Sequence, residues 1–173
     1  MRYLTIVRHA HAVPATPGGG DKERVLSEDG VLQCAQLRRW ASDADELGRF
    51  GPVTAIVSSA QRTRETFERS FGDTSFVRSV DFSDLIYNGT RAVTGQDLLI
   101  DIAAIDTVVT SLLVVAHSPT VHELLAELAS SVPSEMLKDG FPLGGAFVLA
   151  LPEDEHIGLK EYELVASFVP ALD

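Results

Sequence analysis

Three short apolar runs constrain this chain more than anything else in it: Tyr3-Leu4-Thr5-Ile6-Val7, Val53-Thr54-Ala55-Ile56-Val57 and Ser111-Leu112-Leu113-Val114-Val115-Ala116. Each carries β-branched residues, has the length of a strand and is too short for a stable helix. Helical patterns follow them. Ser27 reads as an N-cap with Glu28 and Asp29 in the first turn, opening a helix through Leu32, Leu37, Trp40 and Ala41 that stops near Gly48. A second helix spans 62–71 and a third 96–104. Ser118-Pro119 reads as an N-cap with proline at the first helical position, ahead of Leu124, Leu125 and Leu128. Phe76-Val77 reads as a short edge strand, residues 81–94 as irregular, and 146–151 with 161–169 as an antiparallel pair joined across 152–158. Strands alternating with helices predict an α/β fold. The expected architecture is three-layered: a mostly parallel central sheet, helices on both faces and a C-terminal antiparallel hairpin. The 173 residues fit a single domain, 1–173.

Charge narrows the partners. A net charge of −11 leaves no extended basic surface for nucleic acid or an anionic membrane, so neither is expected. If the ligand is a phosphate, the few arginines must gather locally. The longest apolar runs are strand-sized, and Met1-Arg2-Tyr3 enters structure without a signal-peptide pattern, so a cytoplasmic protein is expected. The lone Cys34 lies in a helical pattern and reads as buried filler.

Ligands of open α/β sheets bind beyond the carboxyl ends of the strands. Here those ends deliver Arg8 and His9, then Ser58 and Ser59 with Arg62 in the next helix, then His117 and Ser118. Two arginines, two histidines and a helix N-terminus at one sheet edge describe an anion site containing a nucleophile. Taken singly, a strand-end histidine is more often structural, and Arg64 and Arg69 fit a solvated helix face. His122 and His156 fit surface or cap roles. His9-Ala10-His11 could instead begin a metal site completed by His117, His122 or a carboxylate, but the arginines would repel a cation, so no metal is expected. Gly18-Gly19-Gly20-Asp21-Lys22 lacks the Gly-Lys-Ser/Thr ending of a phosphate loop and follows no strand directly.

Arg8-His9-Ala10 resembles the Arg-His-Gly signature of the histidine phosphatase superfamily, the phosphoglycerate mutase-like proteins. Ser58-Ser59-Ala60-Gln61-Arg62-Thr63-Arg64-Glu65-Thr66 resembles that family's Ser-Pro-x-x-Arg-x-x-x-Thr segment. Leu113 to Pro119 resembles the strand that ends in its second histidine. The stretch from Asp21 to Gly30 resembles the Asp-x-x-Arg-x-Leu-Thr/Ser-x-x-Gly pattern of the SixA-type phosphohistidine phosphatases. The likeness covers about three quarters of the chain in order. Ala10 and Ser59 depart from it, standing where the family has glycine and proline.

The resemblance implies a cofactor-independent phosphatase. His9 would attack phosphorus and carry the phosphoryl group, while Arg8, Arg62 and His117 bind its oxygens. Arg24 and Ser118 are further candidate phosphate contacts. Asp84 is the expected general acid for ester substrates, less necessary for a phosphohistidine, whose imidazole can be protonated before the P–N bond breaks. The expected substrate is phosphohistidine on a protein. A small phosphate ester is the alternative, and a non-catalytic phosphate-binding module is the alternative from another class.

Overall fold

The computed structural model describes residues 2–42, 47–87, 89, 91–105, 109–129, 132–133, 137–151 and 162–171. In chain order the elements are β1 (Tyr3–Arg8), α1 (Glu28–Ser42), a 3-10 turn (Gly48–Phe50), β2 (Val53–Ser58) and α2 (Gln61–Phe71). They continue with β3 (Val77–Ser83), α3 (Gly95–Ile105), β4 (Ser111–Ala116), α4 (Thr120–Leu128), β5 (Ala146–Ala150) and β6 (Glu163–Phe168). One sheet runs β3-β2-β4-β1-β5-β6. Its first four strands are mutually parallel, and β5 and β6 extend it antiparallel beyond β1. This is the α/β architecture expected from the alternation of strands and helices.

The period of two along β4 divides the core. Every β4 side chain is buried. Leu112, Val114 and Ala116 join Leu98 and Ile102 of α3 and Leu124 and Leu125 of α4 on one face. Leu113 and Val115 join Leu37 and Ala41 of α1 and Phe67 and Phe71 of α2 on the other. Each of these Leu, Ile, Val and Phe side chains contributes roughly 1.5–3 kcal/mol by leaving water. Helices cover both faces of the sheet.

Local details differ from expectation. Ser27 does cap α1, its Oγ accepting from Gly30 N–H at 3.2 Å. The buried stripe is Gly30, Gln33, Cys34, Leu37 and Ala41, however, and Leu32 points to solvent. The described helix runs to Ser42, residues 43–46 lie outside the described residues, and Gly48 opens the 3-10 turn. β3 reaches Ser83 because residues 81–83 pair with 56–58 of β2, so the segment expected to be irregular begins as strand. Pro119, not Ser118, occupies the N-cap position of α4, and no side chain caps that helix. The 152–158 connection, residue 161 and His156 lie outside the described residues. Among the described residues, no helix is long and apolar enough to cross a membrane.

Candidate active site

Because β2, β4 and β1 are parallel neighbours, their carboxyl ends open on the same edge. Ser58, His117 and His9 therefore arrive side by side, at the strand spacing of about 4.8 Å. His9 continues the ladder by donating its backbone N–H to Ala116 at 3.1 Å. The His9 and His117 rings lie 5.2 Å apart between centroids.

The motif residues around them have structural reasons. Ala10 is fully buried with Leu26 and Cys34, and its N–H donates to Thr66 Oγ1 at 3.0 Å. Thr66 in turn donates to the Arg62 carbonyl, so the Arg-x-x-x-Thr spacing ties α2 to the segment after β1. Gly30 faces the His11 carbonyl so closely that a β-carbon there would lie 2.0 Å from its oxygen. The side-chain-free position lets α1 start against the strand that carries His9.

His9 Nδ1 lies 2.7 Å from the Ala10 carbonyl, which can only accept. The neutral ring therefore carries its proton on Nδ1 and leaves Nε2 with a free lone pair. Burial pulls the His9 pKa down to about 3; the Ala10 bond opposes this, and the charges of Arg62, Arg8 and Arg24 reinforce it. His117 is lowered to about 2, again chiefly by burial, then by His9 and Arg62. Arg62 Nη2 donates to His117 Nδ1 at 3.3 Å, which leaves Nε2–H to donate to Ser58 Oγ at 2.7 Å. Both rings are neutral bases at physiological pH.

Arg62 is almost fully buried, yet both of its terminal nitrogens reach one loop residue. Nη1 donates to the Asp21 carbonyl at 2.7 Å and Nη2 to Asp21 Oδ2 at 3.0 Å. Arg24 holds the other carboxylate oxygen at 3.0 Å and the Val13 carbonyl at 2.8 Å, and Tyr87 donates its hydroxyl to Asp21 Oδ2 at 3.0 Å. Partial burial works against ionisation of Asp21, but the Arg24 and Arg62 bonds prevail and bring its pKa down to about 2. These residues enclose a cleft of about 410 Å³ lined by His9, Asp21, Arg24, Arg62, Tyr87, Gly89, His117 and Ser118. The arrangement can hold an anion beside an unprotonated imidazole nitrogen.

Of the residues selected from sequence, His9, Arg62, His117, Arg24 and Ser118 line this cleft. Arg8 stands behind it. Its Nη1 donates to the Phe141 carbonyl at 2.6 Å, and its charge still acts on both histidines. Asp84 does not reach the cleft. It is exposed, bonded to Lys22 and Ser59, and lines a neighbouring hollow with Phe82 and Arg64. The physical reason lies in β3, the marginal strand, which ends at Ser83 and delivers Asp84 outside β2, two strands away from the strand that delivers His117. His11 is also diverted, to Ser27 Oγ at 2.6 Å. Among the described residues, no group of three His, Cys, Asp or Glu side chains could hold a metal ion. Asp21, Tyr87 and Gly89 are the cleft residues that sequence reading passed over. Asp21 had a signal, heading the Asp-x-x-Arg stretch three residues before Arg24.

No family sequence model and no curated protein sequence matches the chain. Solved structures do. The assigned phosphohistidine phosphatase SixA of Agrobacterium tumefaciens superposes with a TM-score of 0.78 at 27% identity, over 98% of this chain and 99% of that one. Its counterpart from Nakamurella multipartitia gives 0.73 at 26% identity, over 99% and 97%. A protein histidine phosphatase SixA complexed with tungstate shares the fold at 0.73 and 19% identity, over 96% of each chain.

Proposed function

Since the chain is a member of the histidine phosphatase superfamily by its fold, we propose that it is a phosphatase working through a phosphohistidine intermediate on His9, and that its substrate is phosphohistidine on a protein. The observation that carries this reading is the His9 ring: neutral, with Nδ1 committed to a carbonyl and Nε2 free, in a cleft that Arg24 and Arg62 also line. The Nε2 lone pair forms the bond to phosphorus. The P–N bond to the substrate ring breaks, and its electron pair stays on the departing imidazole nitrogen. Water then attacks the phosphoryl group, the bond to Nε2 breaks, and the pair returns to His9 while the water proton leaves with phosphate.

In this scheme Arg62 and Arg24 take phosphoryl oxygens, and the partly buried charge of Arg8 adds to the field that keeps His9 unprotonated. A phosphoryl dianion entering beside His117 lets that ring hold a second proton and donate through Nδ1. Ser118 lies at the rim. Asp84 has no part in this scheme. Asp21 is the one carboxylate lining the cleft among the described residues, and it is ionised, so no acid stands ready to protonate an ester oxygen. That favours phosphohistidine over a phosphate ester, because an imidazole can depart already protonated at its other nitrogen.

The test is to incubate the chain with a phosphorylated histidine-containing phosphotransfer domain and, in parallel, with a panel of phosphate esters. Turnover of the phosphodomain that disappears in His9→Ala supports the proposal. Turnover of esters alone makes the chain a small-molecule phosphomonoesterase, and binding without turnover makes it a phosphate-binding module.

A further inference from the structure

The cleft has a direction. Arg62 and His117, at its floor, are 5% and 3% exposed, whereas Asp21, at its mouth, has a side chain 45% exposed. A phosphoryl group attacked by His9, whose ring lies 5.2 Å from that of His117, loses its leaving group on the side away from His9, because displacement at phosphorus is in line and the rest of the substrate stays outside. At the mouth the leaving group meets the Asp21 carboxylate, with Tyr87 beside it at 3.0 Å. On the reading given above, we propose that Asp21 is a specificity-determining residue: its carboxylate receives the N–H of a departing imidazole and selects P–N over P–O substrates.

The exchange of partners follows from the bonds described. Asp21 Oδ2 now accepts from Arg62 Nη2 and from Tyr87, while Oδ1 accepts from Arg24. A phosphoryl oxygen that takes Arg62 Nη2 frees one acceptor position of Oδ2, while Tyr87 and Arg24 keep the carboxylate at the mouth. The substrate ring is phosphorylated at one nitrogen and protonated at the other. Its N–H donates to Oδ2 while His9 Nε2 bonds to phosphorus. The P–N electron pair then returns to the ring, which leaves as neutral imidazole with that N–H intact, and no proton moves during bond breaking. An ester behaves oppositely. Its P–O pair collects on an oxygen facing a carboxylate that stays ionised because the arginines lower its pKa, so it finds repulsion and no proton donor.

The experiment measures kcat/KM for two small compounds, imidazole N-phosphate and p-nitrophenyl phosphate, so that it does not depend on a protein substrate. In Asp21→Asn the ratio of the first to the second falls about tenfold to a hundredfold, the range expected for losing one charge-assisted hydrogen bond. Asp21→Glu, which keeps the charge, recovers part of the ratio. An unchanged ratio, with both activities falling together, overturns the proposal and makes Asp21 a holder of Arg24 and Arg62 only. If the unaltered chain hydrolyses both compounds but no phosphorylated protein, the protein substrate is wrong while the Asp21 ratio still decides this point. If it hydrolyses neither, both readings fail.

Discussion

At the scale of single residues, a carbonyl, a hydroxyl and a guanidinium set the chemistry of two imidazoles. The Ala10 carbonyl fixes the His9 proton on Nδ1, and Ser58 with Arg62 fixes that of His117 on Nε2. With the His9 pKa near 3, its nucleophilic form persists well below neutrality. The acid limb of kcat/KM, once corrected for the second ionisation of the substrate phosphate near pH 6, should be flat down to about pH 5. A residual limb with a midpoint between 6 and 7 would show His9 titrating as an ordinary exposed histidine. Arg62→Lys removes the planar fork that spans two acceptors, and kcat/KM should drop on the order of a hundredfold. Asp84→Asn should change kcat/KM by less than about threefold on both P–N and P–O substrates, since this exposed carboxylate contributes only surface bonds to Lys22 and Ser59. A large, ester-selective loss would return the general-acid role to Asp84.

At the scale of elements, the loops and helix starts hold the site in register. Gly30→Ala drives a β-carbon against the His11 backbone, which cannot swing away as a side-chain tip can. Overpacking of this kind should cost about 1–3 kcal/mol in chemical denaturation and lower activity through the displaced His9 segment. Much of this level was legible in the sequence. The strands declared themselves through β-branched runs, and Ser27 announced α1 through its capping chemistry. Other parts needed tertiary information. Leu32 fits a helical period but faces solvent, because Gly30, Gln33, Cys34, Leu37 and Ala41 already fill the contact stripe. The polar, largely exposed run Val77-Arg78-Ser79-Val80-Asp81 has no period-two pattern and suits an edge strand paired on one side only, so local pattern alone hid its length. The placement of Asp21 depends on how a loop folds back onto α2, which no periodicity encodes.

At the scale of the whole molecule, burying two neutral imidazoles makes stability depend on pH. Their folded pKa values lie below the unfolded value near 6.5, so the unfolded chain binds more protons between that value and about 3. Their contribution is complete above pH 6.5 and is lost as pH falls towards 3, at up to about 1.4 kcal/mol per pH unit for each ring. Replacing both with glutamine should flatten the fall in unfolding free energy between pH 6.5 and 5, measured by urea titration; an unaltered slope would mean the rings are not buried as bases. The overall architecture was readable because every level of the sequence agreed on it: strand-sized apolar runs, helix signals between them and polar residues at the carboxyl ends. The sheet order, which decides that those ends meet, was supplied by pairing alone. The strands that deliver Ser58, His117 and His9 all lie inside the sheet, with β3 outside β2 on one flank and β5 and β6 outside β1 on the other. Fraying at either margin, or a lengthened β3 or β6, therefore leaves the distance between the two imidazoles untouched.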